Sequence, residues 1–343
     1  MRVVGGRWAG LLVGAALLGA AVLVSLGLGA RPVALGDVLG SYLAFDGTAD
    51  QIVVRELRLP RTVVGLLVGT ALGAAGVLMQ GLSRNPVADP GLLGVSAGAA
   101  LGVVVAIILF GARTAAGYVW VGVLGAAAAS VVVFAVAARS TRSPITTLVL
   151  AGAAVSATLG SVTAGVLAVD QQTLDQYRFW AVGSLQSREL SVAADIAPLV
   201  GAGLGLAMLC SRGLDALAMG EDVARALGRN VGLLRVGVLS AIVLLTGAAV
   251  AAAGPIAFVG LVVPHLVRPF SGMRHGWQLL LATVYAPVLV LVADVVGRLV
   301  VRPAELPVGI VMAVVGAPFL IWVVRRERRP RSVGQPNVAA VAS

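Results

Sequence analysis

The sequence contains no lysine, and all 25 of its Lys-or-Arg residues are arginine. A nucleotide-binding P-loop needs a lysine to reach the phosphates, so the chain carries no Walker A motif and any ATP must be bound by another protein. The single cysteine, Cys210, excludes an intrachain disulfide and a multi-cysteine metal site, and a small buried hydrophobe is its expected role. Only two histidines are present, and we expect no bound metal, a structural hydrogen bond for His265 and a loop position for His275.

Charged and aromatic residues are also scarce. Only 12% of the residues are charged and 5% are aromatic, whereas 59% are hydrophobic and the mean hydropathy is +1.00 over 343 residues. A soluble protein of this size cannot bury so much apolar surface, so we predict an all-α polytopic membrane protein. The 44 glycines favour close helix contacts, with suitable spacing at Gly10/Gly14, Gly65/Gly69/Gly73, Gly94/Gly98/Gly102 and Gly201/Gly205.

About ten apolar segments are interpreted as membrane helices. The uncharged run at residues 236–267 is too long for one span, and Gly254-Pro255 divides it into two helices joined by a tight turn. The first segment follows Arg2 and Arg7 as a cleaved signal peptide does, but its length favours a retained helix. The predicted spans are residues 8–30, 62–82, 91–111, 115–138, 144–168, 191–210, 233–252, 256–270, 277–296 and 307–324.

The arginines give this bundle a predicted orientation. Of the 25 arginines, 16 fall on one side together with five of the 15 acids, and nine fall on the other side with ten acids. The positive-inside rule makes the first side cytoplasmic, with both termini on it. The net charge of +10 therefore indicates a membrane orientation, and we expect no nucleic-acid partner. Residues 1–330 form one predicted transmembrane domain, and 331–343 a disordered cytoplasmic tail.

A serine motif offers one catalytic alternative. Gly94-Val95-Ser96-Ala97-Gly98 fits the G-x-S-x-G pattern of a hydrolase elbow, but that elbow needs a strand–turn–helix within an α/β sheet. Here the motif begins an apolar helix, so close helix contact is the favoured interpretation. An intramembrane serine protease stays a minor alternative.

Long ordered motifs then resemble one known family. The stretch "RLPRTVVGLLVGTALGAAGVLMQGLSRNPVADPGLLGVSAGAALG" (58–102) is similar to the signature region of FecCD-type permeases, the membrane subunits of importers for iron-siderophores, haem and vitamin B12. The resemblance continues through "LVLAGAAVSA" (148–157), "WAVGSL" (180–185), "ALAMGEDVARALG" (216–228), "GPIAFVGLVVPHLVR" (254–268) and "ELPVGIVMAVVGAPFLIWVV" (305–324).

The resemblance implies a vitamin B12 permease-like bundle of ten helices in the bacterial cytoplasmic (inner) membrane. It implies a dimer, either with a second copy or with a paralogous permease. Two ABC ATPase subunits would dock on the cytoplasmic face and carry ATP and Mg, while an extracytoplasmic substrate-binding protein would dock outside. The chain itself would be a transport subunit, not an enzyme, with no cofactor of its own and with membrane lipids around it.

Four sets of residues receive expected roles from this resemblance. Two of these roles also have a physical reason. Arginines suit an electrostatic docking surface, and an amphipathic connector suits a groove on a partner. Docking of the binding protein is expected at Arg55, Arg58, Arg61 and Arg298, and coupling to the ATPase, within a segment of about 212–230, at Leu217, Met219, Gly220, Glu221, Ala224, Leu227 and Gly228. A cytoplasmic gate is expected at Asn85, Val87 and Thr146. A translocation path is expected along Ser156, Thr158, Gly160 and Ser161.

Purely structural roles are alternatives for some of these residues. The arginines are also suited to lipid anchoring or ion pairing, since Asp294 and Arg298 are i,i+4 partners. The small residues of the path are equally suited to helix packing. We expect an importer of an iron(III)-siderophore working by alternating access, with cobalamin or haem as alternative cargo. An ion-driven secondary transporter is a distant alternative. Such carriers usually place acidic residues in mid-membrane, whereas the acids of this sequence, Asp294 included, are predicted at helix ends or in loops.

Overall fold

The computed structural model describes residues 2–29, 33–112, 114–139 and 144–327. Within these ranges the chain is all-helical and contains no β-strand. The predicted tail, 331–343, lies outside the described residues. The helices are α1 (Arg2–Gly27), α2 (Leu35–Leu43), α3 (Ala49–Ile52), α4 (Leu59–Ser83), α5 (Val95–Phe110), α6 (Ala115–Ala138), α7 (Pro144–Val169), α8 (Gln171–Ala181), α9 (Leu190–Ala218), α10 (Glu221–Ala226), α11 (Val231–Ala253), α12 (Val259–Ser271), α13 (His275–Val300) and α14 (Val308–Glu327).

Each predicted span falls on one of these helices. In the described ranges, seven helical stretches are long and apolar enough to cross a membrane, and together they make a multi-pass protein. Two apolar helices are shorter, and α12 has 13 residues. The seven stretches are Gly6–Gly27, Ala49–Ser83, Ala115–Ala138, Thr146–Val169, Leu190–Ala218, Val231–Ala253 and His275–Val300, and the two shorter helices are Val95–Phe110 and Val308–Val323.

The break predicted at Gly254-Pro255 is confirmed. Helix α11 ends at Ala253, and α12 begins at Val259. Gly254 and Phe258 both take positive φ angles, +75° and +68°, which reverse the chain between the two helices. Proline lacks the N–H that would continue the helical hydrogen-bond ladder, so the polypeptide cannot pass through this point as one straight helix.

Helix α1 packs on the rest of the bundle. The Tyr285 hydroxyl in α13 donates a hydrogen bond to the Gly10 carbonyl at 2.9 Å. A Cβ atom added to Gly14 would lie 2.6 Å from Tyr285 Cε2, and the rings of Trp8 and Trp277 meet edge to face with centroids 5.3 Å apart. These contacts fit the predicted retained helix, because they make α1 a part of the core.

Helix α4 forms the centre of the fold. A short π-helical segment, Val53–Arg58, joins α3 to α4 so that one continuous helical stretch runs from Ala49 to Ser83, and 78% of its membrane window is buried. Its glycines allow the close approach of α13: a Cβ atom on Gly69 would lie only 2.6 Å from Pro287 Cα. Small residues at helix contacts replace the hydrophobic driving force that lipid does not supply.

The predicted glycine contacts are confirmed at three of the four sets. Gly10 and Gly14 face α12 and α13, the α4 set faces α13, and Gly98 faces Gly125 of α6. Gly201 and Gly205 differ, because a Cβ atom at either position would meet nothing within 4 Å. Spacing alone therefore did not identify which face of α9 is buried.

Two ends of the bundle can be distinguished. The Asp294 end holds the start of α4 and the last turns of α13, where Arg61 contacts Asp294. The His275 end holds the last turn of α4, the end of α9 and the start of α13, where Asp215 Oδ1 accepts a hydrogen bond from the His275 backbone N–H at 2.8 Å. His275 begins α13 and is buried, which corrects the predicted loop position.

Substituting Gly69 tests the α4–α13 contact. We expect Gly69→Ala to lower the free energy of unfolding by about 1–3 kcal/mol, because the added methyl group overpacks backbone against backbone. The measurement is the thermal transition of the detergent-purified chain. Gly201→Ala is the matched control, since its methyl group enters open space. Equal melting temperatures for the two variants would contradict the packing described.

Candidate functional site

A buried ion cluster lies at the Asp294 end. The Asp294 carboxylate, 0% exposed, accepts hydrogen bonds from Arg61 Nε at 2.9 Å and Arg61 Nη2 at 2.8 Å. Arg298, one turn further along α13, donates from Nε to Asp294 Oδ2 at 2.9 Å, as the i,i+4 spacing predicts. Arg61 Nη1 also donates to Glu305 Oε2 at 2.6 Å. Two carboxylates thus hold two arginines inside the protein.

The same arginines reach across to α1. Arg298 Nη1 donates to the Ser25 carbonyl at 2.8 Å and to the Leu28 carbonyl at 3.2 Å. Arg58 Nη1 donates to the Leu26 carbonyl at 2.7 Å. Carbonyls of the last turn of a helix have no intrahelical partner, so these guanidinium groups satisfy the C-terminus of α1. The cluster therefore joins α1, α4 and α13 at one point.

This burial corrects the prediction that four arginines present a charged surface. Arg58, Arg61 and Arg298 are 6%, 8% and 2% exposed, and their donors are directed into the chain. Arg55 alone of the four is exposed, with its guanidinium carbon 4.6 Å from the centre of the Phe45 ring. The family resemblance and the charge of the arginines suggested the docking surface, but the partner of Arg61 lies 233 residues away, where no local pattern indicates it. Docking at Arg55 stays a prediction.

The predicted coupling segment is a bend at the His275 end. Helix α9 runs unbroken to Ala218, and Gly220 follows with φ +128° and ψ 151°, a conformation that only glycine adopts without strain. Helix α10 then occupies Glu221–Ala226, and Gly228 takes φ +72°. The predicted bend at Gly220 is confirmed.

The structure redistributes the apolar residues of this segment. Leu217 and Ala224 are buried against the bundle, which corrects their assignment to a free surface. Met219 and Leu227 are exposed as expected, and Val223, which the sequence analysis missed, is exposed beside them. The signal that could have identified Val223 is its i,i+4 spacing from Leu227 at the end of α10. These three exposed apolar side chains are here together called the α10 patch.

Charged residues brace the α10 patch. Glu221 accepts hydrogen bonds from Arg225 at 2.6 Å and from Arg235, in α11, at 2.9 Å. Both contacts are at least partly exposed, and such ion pairs contribute only about 0–1 kcal/mol each. The segment is therefore held far less firmly than the Asp294 cluster.

The turn at residues 83–90 is held by local hydrogen bonds to two of its side chains. Asn85 Oδ1 accepts the Val87 N–H at 3.0 Å, and Asp89 Oδ1 accepts the Gly91 N–H at 2.8 Å. Pro90 begins a short 3-10 helix, Pro90–Leu93, whose Leu92 carbonyl contacts Gly152 of α7. Thr146 is exposed at the start of that same helix α7. The gate role of Asn85, Val87 and Thr146 stays a prediction.

The predicted path residues lie along α7, a helix that is exposed over most of its length. Only 17% of the membrane window of this helix is buried, and Thr158, Gly160 and Ser161 are exposed while Ser156 is half-buried. The Thr158 hydroxyl donates to the Ala154 carbonyl, four residues earlier. With its hydroxyls turned back on the helix, this part of the α7 surface is weakly polar, and a path along it stays a prediction.

The serine and histidine motifs are separate in the described structure. Ser96 lies in the first turn of α5, and no hydrogen bond in the described ranges joins it to a histidine. His265 Nδ1 is 2.8 Å from the Leu261 carbonyl, so the predicted structural hydrogen bond is confirmed. His275 Nδ1 is 2.8 Å from Asp215 Oδ1. Each histidine is engaged locally, so the geometry gives the protease alternative no support.

Replacing Asp294 tests the ion cluster. We expect Asp294→Asn to destabilise the protein by about 3–5 kcal/mol, because removing one partner leaves buried guanidinium charges uncompensated. The measurement is the thermal transition of the purified chain. Asp175→Asn is the control, since Asp175 pairs with Arg178 in an exposed contact, for which about 0–1 kcal/mol is expected. A loss at Asp294 no larger than at Asp175 would contradict the cluster's structural role.

Comparison with known proteins agrees with this architecture. The chain is 43% identical over 316 residues to the ferric enterobactin transport system permease protein FepD of Escherichia coli (strain K12), covering 91% of this chain and 94% of the relative. It is 36% identical over 322 residues to the probable siderophore transport system permease protein YfiZ of Bacillus subtilis (strain 168), covering 93% and 96%. Other relatives are named for hemin and cobalamin import.

A solved structure has the same fold. It is an inward-facing ABC transporter of the metal-chelate type, with a TM-score of 0.81 and 28% identity, and the match covers 92% of this chain and 98% of the other. Residues 17–326 match the FecCD transport family. Because that match spans nearly the whole bundle, including the Asp294 cluster and the α10 patch, the chain belongs to the FecCD transport family.

Proposed function

We propose that this chain is the transmembrane permease subunit of an ATP-binding-cassette importer that takes up an iron(III)-siderophore complex by alternating access. The observation that carries the proposal is the family match over residues 17–326, combined with an exposed apolar segment suited to a partner at one end. The absence of lysine assigns ATP and Mg to the partner ATPase. Relatives named for siderophore transport, at 43% and 36% identity, support the cargo, and hemin or cobalamin is the alternative.

The orientation follows from the arginine distribution. We infer ten spans, with α5, α12 and α14 completing the seven longer helices, and both termini in the cytoplasm. The His275 end then faces the cytoplasm and the Asp294 end faces outward, in a bacterial inner membrane. The short helices α2 and α3 lie at the outer end with exposed Arg55, which supports docking of an extracytoplasmic binding protein through charge complementarity.

Coupling to the ATPase uses the α10 patch. Met219, Val223 and Leu227 supply the apolar contact, and Glu221 with its arginines supplies a charged rim. Closure of two ATPase subunits would move this segment, and Gly220 lets it turn relative to α9. The rigid helices would then rock together, as expected for alternating access.

A second permease subunit would complete the path. The exposed surface of α7 carries Thr158, Gly160 and Ser161 beside space that no described residue fills. Two such faces, from two copies or from a paralogue, would enclose a weakly polar channel, with Asn85, Val87 and Thr146 at its inner mouth. Such a lining suits a large cargo delivered by a separate high-affinity carrier.

An ion-driven secondary transporter is the less favoured function. Such carriers use membrane-embedded acids to bind ions. Asp294 is a buried acid in a spanning helix, but Arg61 and Arg298 already neutralise it. It therefore offers no free carboxylate for a coupling ion.

A bulky residue at Gly220 tests coupling. We expect Gly220→Val to reduce ATP-driven uptake about 10-fold while assembly persists, because its φ of +128° costs a β-branched residue about 1–3 kcal/mol. The measurement is the ratio of transported cargo to ATP hydrolysed in proteoliposomes. The control is Gly232→Val, near the start of α11, where an added Cβ atom would meet only Asn230 Oδ1, at 3.4 Å. An unchanged ratio in the Gly220 variant would contradict the assigned role.

Reconstituted uptake tests the function itself. The chain, co-expressed with its ATPase and binding protein, is placed in proteoliposomes with radiolabelled ferric siderophore outside and ATP inside. We expect uptake that requires ATP, and no uptake with a non-hydrolysable nucleotide. Transport of cobalamin or haem instead would change the cargo only. Uptake driven by an ion gradient without any ATPase would overturn the proposal.

A further inference from the structure

A groove of about 760 Å³ opens between α9 and α13 at the His275 end. It opens to the outside of the chain at exposed Leu209. One wall is charged and the other is apolar. The groove is lined by Gly205, Met208, Leu209, Ser211, Arg212, Asp215, Arg274, Gly276, Trp277 and Leu280.

The charged wall carries two unpaired arginines. Arg212 and Arg274 are exposed, and neither forms a hydrogen bond or an ion pair within the described ranges. The one acid in the groove, Asp215, is occupied by the backbone N–H and the ring of His275, both at 2.8 Å. Two guanidinium groups beside this single carboxylate leave the groove with a net positive charge, and guanidinium groups suit a phosphate-bearing ligand.

The groove lies at the level of a membrane surface. Arg212 follows the start of α9 by 22 residues, or about 33 Å at the helical rise, which is close to the thickness of a bilayer's hydrocarbon core. Trp277 lines the groove, the Trp8 ring meets it edge to face, and the Arg7 guanidinium lies 5.9 Å from its centre. Tryptophan is enriched at membrane–water interfaces, so this cluster indicates the headgroup region.

The apolar wall continues toward the bilayer interior. Leu209 is 81% exposed, and Met208 and Leu280 lie beside it in the groove. A free phosphate ion would leave this wall uncovered. An acyl chain fits it, while the headgroup meets the arginines.

We propose that the groove binds one anionic phospholipid, with its phosphodiester at Arg212 and Arg274 and an acyl chain along Met208 and Leu209. Basic pockets between transmembrane helices at a membrane surface recognise lipid headgroups in this way. Helix α9 continues from Arg212 into Ala218 and the Gly220 bend. A bound lipid would thus bridge α9 and α13 close to the end of α9, from which the α10 patch follows. It would restrict the motion of these two helices relative to each other.

Native mass spectrometry tests the proposal. The purified full-length chain is titrated in detergent with phosphatidylglycerol or phosphatidylcholine of matched acyl chains. Because a basic residue near an anionic headgroup contributes about 5-fold in affinity, we expect the two arginines to make the wild-type chain prefer phosphatidylglycerol about 25-fold. The double variant Arg212→Gln/Arg274→Gln should lose most of this preference.

Matched variants separate the groove from general charge. Arg139→Gln/Arg325→Gln removes the same charge from exposed positions outside the groove and should keep the preference. Arg212→Lys/Arg274→Lys retains the charge and should keep most of it, which covers the case of a glutamine variant that fails to fold. Equal binding of the two lipids by the wild-type chain, or equal loss in the groove and control variants, would overturn the proposal. The result does not depend on ATP or cargo, so it is separable from the importer assignment.

Discussion

The pairing of Asp294 with Arg61 and Arg298 is the constraint on which one end of this protein depends. An ion pair inside an apolar bundle is favourable only when its charges are mutually compensated and hydrogen-bonded, because desolvating each charge costs several kcal/mol. Here that condition fixes three helices at once, since Arg298 also holds the end of α1. A shift of α4 relative to α13 by one turn would separate the charges. The cluster therefore specifies one register of the helices as well as their contact.

The opposite end is built differently. The segment proposed for coupling contains two positive-φ glycines, Gly220 and Gly228, and partly exposed ion pairs of Glu221. These features allow rotation at modest cost, whereas the close glycine contacts of α4 with α13 allow almost none. A rigid bundle with a compliant segment at one end is compatible with the rigid-body motion proposed for transport. It connects the fold to the proposed transport mechanism.

Much of the fold could be predicted from the sequence, because membrane helices depend on local composition. The uncharged runs fell on ten helices, Gly254-Pro255 divided two of them, and the Asp294–Arg298 pair followed from helical spacing. The burial of Arg58 and Arg61 could not be predicted. In a sequence their charges indicate a surface, and only tertiary contacts with α1 and α13 reveal their partners.

The same limit applies to other residues. Leu217 and Ala224 face inward because α10 folds back on the end of α9, and the direction of that turn is set at Gly220. The glycines of α9 at 201 and 205 have the spacing of a contact without a neighbour in this chain. Periodicity gives the faces of a helix, but which face is buried depends on what packs against it.

Orientation in the membrane is the claim that docking, coupling and the direction of transport all share. It can be measured by thiol labelling in a Cys210→Ala background, with Leu43→Cys at the Asp294 end and Leu227→Cys at the His275 end, both at exposed positions. A membrane-impermeant maleimide applied to intact spheroplasts should label Leu43→Cys at once and Leu227→Cys only after permeabilisation. Labelling of Leu227→Cys from outside, with Leu43→Cys protected, would invert the protein and contradict the account.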